Sequence, residues 1–194
     1  MLISKNNSFH CRVVLIGDAS VGKTCLLGQL IDNKFNPSEQ STIGANYQIY
    51  NEEIDGIKAE VQIWDTAGQE KFRSLGPIYF RNALGAVAVF DITNKSTFDH
   101  LDEWIKSFTD ASGTESTIFV VANKSDMVQE QKISFSQVQA YAEQRGYRAF
   151  ETSAKTGQGV QELFSELAKT ILNKHREVKV TKQELKPSEG GCKC

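Results

Sequence analysis

The chain has 194 residues, 40% hydrophobic and 24% charged, with Gly 14 and Pro 3, which fits one ordinary domain with or without a tail. A net charge of −2, from 22 basic against 24 acidic residues, argues against a whole-surface binder of nucleic acid or anionic membrane, no apolar run reaches the roughly 20 residues a spanning helix needs, and, with no long apolar stretch in residues 1–8, no secretory signal is expected. Of the cysteines, Cys11 and Cys25 sit in apolar segments expected to be buried and Cys192 and Cys194 close the chain; neither a disulfide framework nor a zinc spacing results, so the chain is expected to be cytosolic.

Cys11 to Ile16 is a short apolar run ended by Gly17 and predicts a buried strand. A helix is expected over 22–33, with Leu26, Leu27, Leu30 and Ile31 at helical spacing. Residues 45–54 and 58–64 flank Asp55-Gly56, the dipeptide of a tight hairpin. Gly85 to Asp91 is a second buried strand, and Phe98, Leu101, Ile105 and Phe108 mark an amphipathic helix. Thr117 to Asn123 is a third buried strand, followed by a helix face of Phe135, Val138 and Ala142. A short last strand runs from Tyr147 to Glu151. The final helix, with Val160, Leu163, Phe164, Leu167, Ile171 and Leu172, is expected to end near His175. Beyond it, residues 174–194 hold six Lys/Arg against three Asp/Glu, with Pro187 and Gly190-Gly191, and read as a flexible tail. Apolar strands alternating with helices predict a mostly parallel sheet covered on both faces, with ligands at the carboxyl ends of the strands.

Each chemical motif follows a predicted strand. Gly17-Asp18-Ala19-Ser20-Val21-Gly22-Lys23-Thr24 matches G-x-x-x-x-G-K-[ST]. Its glycines let backbone N–H groups wrap phosphate oxygens, the following helix adds its positive end, Lys23 supplies a point charge and the Thr24 hydroxyl suits Mg²⁺. The motif specifies a nucleoside triphosphate but neither the base nor the reaction. Asn123-Lys124-Ser125-Asp126 offers a carboxylate that can accept from guanine N1–H and its exocyclic amine, a donor pair adenine lacks. Losing two such bonds supplies discrimination of roughly 10²–10⁴. The Lys124 stem can lie along the base, and Ser153-Ala154-Lys155 can complete the pocket, the Ala154 N–H donating to guanine O6. Trp64-Asp65-Thr66-Ala67-Gly68-Gln69 places a carboxylate suited to holding Mg²⁺ through water, a glycine N–H for a γ phosphate, and a glutamine able to orient an attacking water. Thr42 can give Mg²⁺ a second hydroxyl once a γ phosphate draws its loop in. Phe35 reads equally as a wall of the base pocket or as core.

These motifs together resemble the Ras superfamily of small GTPases over about residues 10–175, and within it the Rab branch most. The Rab-like stretches are Ile43 to Tyr47, Trp64 before Asp65, Phe72-Arg73-Ser74-Leu75, Tyr79 to Ala83, Asp91-Ile92-Thr93 with Ser96 and Phe98, and the terminal Cys192-Lys193-Cys194. Residues 74–79 lean toward the Rabs of the early endocytic pathway. The resemblance implies an α/β P-loop NTPase fold, a six-stranded mostly parallel sheet flanked by five helices, as a small G domain over 10–175 with an extension at 1–9 and a hypervariable tail at 176–194. It implies GTP or GDP held by Ala19, Ser20, Val21, Gly22, Lys23, Thr24, Cys25, Phe35, Thr42, Gly68, Asn123, Lys124, Asp126, Ser153, Ala154 and Lys155, with Mg²⁺ on Thr24, Thr42 and Asp65 and catalysis by Gln69. Ile43, Tyr47, Trp64 and Tyr79 would face effectors, and Cys192 and Cys194 would carry prenyl lipids.

The activity implied is a GTP-hydrolysing switch that recruits trafficking effectors to the cytoplasmic face of an intracellular membrane, endosomal by that leaning, and cycles back to the cytosol. Its implied partners are an exchange factor, a GTPase-activating protein, a prenyl transferase with its escort protein and a GDP-dissociation inhibitor. No nucleic acid and no oligomer are implied. Ala19, Asn46 and Asn82 depart from the family pattern. Ala19 would lie near the γ phosphate, which leaves open a second reading, a GTP-binding scaffold with little useful hydrolysis. An ATP-using kinase or transporter subunit is disfavoured by Asp126.

Overall fold

The computed structural model describes residues 7–68, 76–113 and 115–184; Gln69, the stretch Phe72 to Leu75, Cys192 and Cys194 lie outside them. Strand β1 (Ser8–Ile16) runs through the middle of the sheet, and its period-two alternation decides what covers each face. Val13 and Leu15 join one apolar cluster, while Val14 and Ile16 join the other. Strands β4 (Gly85–Asp91) and β5 (Thr117–Asn123) are buried at every position because they have helices on both sides. Val87, Val89, Phe119 and Val121 face the first cluster, and Ala86, Ala88, Phe90, Ile118, Val120 and Ala122 face the second.

The remaining strands are β2 (Ala45–Ile54), β3 (Ile57–Thr66) and β6 (Arg148–Glu151). The order across the sheet is β2-β3-β1-β4-β5-β6, parallel throughout except that β2 runs antiparallel to β3. The hairpin joining those two turns on Asp55 (φ 49°) and Gly56 (φ 72°), the paired left-handed residues that match the twist of the flanking strands. Since β1 has β3 on one side and β4 on the other, the order reverses at its carboxyl end, where open α/β sheets leave a crevice.

Helices α1 (Lys23–Asp32) and α6 (Val160–Glu184) bring Leu26, Leu27, Leu163, Phe164 and Leu167 to the first face. On the second face lie α2 (Gly76–Phe80), α4 (Leu101–Ser112) and α5 (Phe135–Glu143), contributing Phe80, Trp104, Phe108 and Val138. A short α3 (Lys95–Asp99), opened by the Asn94 side chain accepting from the Ser96 N–H, leads into α4 through the single residue His100. Counting α3 and α4 as one helix broken at His100 gives five among the described residues, as the resemblance implies. The amphipathic pattern at 98–108 missed that break, and five-residue α2 carries too little periodicity to be read.

Helix α6 corrects one boundary: it continues to Glu184 instead of ending near His175. The apolar period stops at Leu172, but nothing that breaks a helix follows until Pro187. An ion pair from Arg176 to Asp55 (3.0 Å) fastens that stretch to the hairpin turn. Cys25 is half-buried rather than buried, while Cys11 is buried as expected.

Phe108 is fully buried with its ring edge-on to Phe80. Replacing it with alanine, far from the crevice, should lower unfolding free energy by roughly 3–5 kcal/mol, measured by urea denaturation; an unchanged midpoint would remove this cluster from the core.

Candidate functional site

At the carboxyl ends of β1, β3, β5 and β6 a cavity of about 570 Å³ opens, a size suited to a nucleotide-sized ligand. Its floor is the loop 17–24. Gly17 has φ 134° and lies so close to β4 that a Cβ there would stand 2.1 Å from the Val89 oxygen; Gly22 has φ 98°, and a Cβ would meet Asn123 Nδ2 at 2.4 Å. Ser20, at φ 62°, is in the left-handed region although it has a side chain, a cost that folds keep mainly at functional loops. This run of turned backbone, leading into the amino end of α1, makes a concave row of N–H groups that favours anions.

Lys23 is buried, with Nζ donating to the carbonyls of Gly17 (2.9 Å) and Asp18 (2.8 Å). Burial pulls its ammonium down to about 8, against the opposing pull of Asp65 and Asp18. Beside it, the Thr24 hydroxyl donates to Asp65 Oδ2 (2.7 Å), the Thr42 hydroxyl donates to the same oxygen (3.1 Å), and the two hydroxyls lie 2.9 Å apart. Asp65 Oδ1 is buried with no donor, and burial raises the Asp65 carboxyl despite those bonds and Lys23. Two hydroxyls and a buried carboxylate oxygen short of a partner form a hard-oxygen set of the kind a small divalent cation takes. Gly68 is pressed against the phosphate loop: a Cβ there would stand 2.3 Å from the Asp18 oxygen and 2.4 Å from Lys23 Nζ.

The far end of the cavity is built on Asn123, which is 1% exposed. Its Nδ2 donates to the Val21 carbonyl (2.8 Å), and its Oδ1 accepts from the Thr152 hydroxyl (3.2 Å) and the Ala154 N–H (3.3 Å). Lys124 has φ 68° and pairs with buried Asp91 at 2.6 Å. Asp126 accepts from the Ser153 hydroxyl at 2.6 Å and has Lys155 Nζ at 3.8 Å. A carboxylate held this way has one face fixed by its neighbours and the other turned to the cavity it lines.

Of the residues expected at the site, Ala19, Ser20, Gly22, Lys23, Thr24, Cys25, Phe35, Thr42, Gly68, Asn123, Lys124, Asp126, Ala154 and Lys155 line this one cavity. Val21, Asp65 and Ser153 are buried directly behind it. Phe35 is 39% exposed on the cavity wall, so the core alternative for it falls. The Ala154 N–H, expected to serve guanine O6, lies at the cavity wall and donates to Asn123 Oδ1 at 3.3 Å. Asn36, Pro37, Glu39, Gln40 and Ser41 also contribute lining; only their sequence position between Phe35 and Thr42 could have suggested it.

Outside the cavity, Trp64 lies stacked on Tyr47 (5.1 Å) and tilted against Tyr79 (5.9 Å), with the Arg12 guanidinium 4.7 Å from its ring. Ile43 is 83% and Tyr47 46% exposed, whereas Trp64 is largely covered by these neighbours.

Truncating the Asn123 side chain would strand the Val21 carbonyl and the Ala154 N–H, each orphaned buried group costing about 1–3 kcal/mol. Asn123→Ala should therefore lower the melting temperature and weaken nucleotide retention together, checked by calorimetry and by filter binding.

Comparison with known proteins adds a second line. The model of the "Ras family" matches residues 12–173. Among curated relatives, the Ras-related protein SEC4 of Saccharomyces cerevisiae is 40% identical over 84% of this chain and 75% of its own length. The Ras-related protein Rab-4 of Dictyostelium discoideum is 38% identical over 84% of this chain and 80% of its own, and Rab-13 of Bos taurus is 40% identical over 84% and 80%. With a match across nearly the whole sheet and a loop, a base pocket and a carboxylate placed around one cavity, the chain belongs to the Ras family, within its Rab branch, and is a GTP-hydrolysing small GTPase.

Proposed function

We propose that this protein is a GTP-dependent switch in vesicle trafficking that recruits effectors to an intracellular membrane while GTP is bound. The observation that carries the reading is the single cavity joining Lys23 and Thr24 at one end to Asp126 at the other. Lys23 stays on its carbonyl partners and turns its remaining donor to phosphate oxygens, the N–H groups of 19–24 enclose the phosphates, and Asp126 accepts from the guanine edge. Thr24 and Thr42, with Asp65 behind, would hold Mg²⁺, which would supply charge neutralisation to the triphosphate. Gln69, which lies outside the described residues, orients the attacking water. The remaining contribution is electrostatic, from Lys23 and the loop N–H groups already aimed at the transferring group.

Thr42 and Gly68 report on the γ phosphate, and the stretch between them holds the exposed Ile43 and, on β2, the exposed Tyr47. A change at the γ phosphate thereby reaches an apolar surface fit for partners, including an exchange factor and a GTPase-activating protein. In this reading Cys192 and Cys194 take prenyl lipids through a transferase and its escort protein, and a GDP-dissociation inhibitor shields those lipids in the cytosol. Two chains are what stable anchoring needs.

GTP and GDP should displace each other while ATP competes far more weakly, and Asp126→Asn should shift preference toward xanthine nucleotides, whose C2 oxygen accepts where guanine donates. Competition binding with GTP, ATP and XTP decides it, and equal competition by ATP sinks the reading. Gln69→Leu should keep bound GTP through a single-turnover assay, with and without an activating protein. Unchanged hydrolysis would take Gln69 out of the mechanism, and a wild type with no stimulated turnover would favour the scaffold reading. Cys192→Ser combined with Cys194→Ser should move the protein from membrane to cytosol on fractionation without loss of GTP binding.

A further inference from the structure

Asp18 is the one residue of the phosphate loop whose side chain turns away from the cavity and carries charge. Its Oδ1 accepts from the Trp104 indole N–H at 2.7 Å, and its Oδ2 lies 2.7 Å from His100 Nδ1. A carboxylate only accepts, so His100 is the donor in that second bond. The partners come from 82 and 86 residues away. His100 is the residue at which α3 gives way to α4, and Trp104 sits one turn on, 2% exposed. The main chain of Asp18 faces the other way: its carbonyl accepts from Lys23 Nζ at 2.8 Å and is the atom against which Gly68 is packed.

We propose that His100 and Trp104 are positioning residues for the phosphate loop, fixing the Asp18 side chain so that its carbonyl holds Lys23 and Gly68 in place for the terminal phosphate. The inference rests on the reading that loop 17–24 holds a triphosphate. Charge-assisted bonds to both carboxylate oxygens leave Asp18 no free rotation. Without them the peptide after Gly17 can turn, and Lys23 and Gly68 lose a shared reference point. Both contacts belong to the γ-phosphate end, whereas Asn123 and Asp126 at the base end do not touch this network. Its loss therefore bears on GTP more than on GDP.

The test measures release of fluorescent GTP-analogue and GDP from the full chain carrying Trp104→Phe, His100→Ala or His100→Asn. Trp104→Phe keeps the ring bulk and removes only the donor; His100, nearly half exposed, can be truncated without opening the core. Each loss of a donor should speed release of the GTP analogue roughly fivefold to tenfold, as expected for one charge-assisted bond, with GDP release changing much less. His100→Asn, whose amide can donate from the same place, should restore the wild-type rate. In wild type the Trp104 indole N–H resonance, identified by its loss in Trp104→Phe, should differ between GDP and GTP-analogue forms. Unchanged release in both donor-loss variants overturns the proposal. So does equal acceleration for both nucleotides with a fall in melting temperature, which would make the contacts part of the fold alone. A wild type that retains no guanine nucleotide would instead bring down the reading of the loop, and this inference with it.

Discussion

The Asn123 amide reaches three buried atoms on two segments: the Val21 carbonyl in the phosphate loop, and the Thr152 hydroxyl and, two residues on, the Ala154 N–H in the loop after β6. Shielded from water, these bonds meet little competition and fix relative positions that the chain alone would leave loose. Gly22 exists at its position partly because this amide occupies the space a side chain would need. The phosphate end and the base end of the cavity therefore form one rigid frame, and the distance between Lys23 and Asp126 is set before any ligand arrives. A nucleotide entering such a frame gives up its own freedom but asks for little reordering of the protein.

The two ends of that frame are built differently. Asp126, held by Ser153 with Lys155 nearby, presents a carboxylate whose position its neighbours fix. Thr42 and Gly68 stand at the other end of the cavity. The Thr42 hydroxyl depends on Thr24 and Asp65, and Gly68 rests on the Asp18 carbonyl.

Much of this was legible in the sequence because the signals were local. β4 and β5 end where their apolar runs end, and the hairpin turns on its Asp-Gly pair. Most of the lining residues come from short motifs, each placed by its own strand. What escaped was non-local or lacked periodicity. The extra turns of α6 carry no apolar stripe, because propensity and the Arg176–Asp55 pair hold them. The clasp of His100 and Trp104 on Asp18 had no signature either: two helix residues and a loop carboxylate look like surface and core until the fold joins them.

The placement of β1 between β3 and β4 also orders events during synthesis. The first strand made has partners that begin only at residues 57 and 85, so it must wait, extended and apolar, while they emerge. Of the two sheet faces, the one bearing Val14, Ile16 and Phe90 can be roofed by α4 as soon as that helix appears. The face bearing Val13, Leu15, Val87 and Val121 has only the short α1 until residues 160–172 arrive. A nascent chain stalled before that point exposes a broad β surface of aliphatic side chains, the kind that associates with its neighbours faster than it folds. The last long helix thus closes the domain, and a ribosome that pauses or stops upstream of it leaves a product destined for chaperones or aggregation.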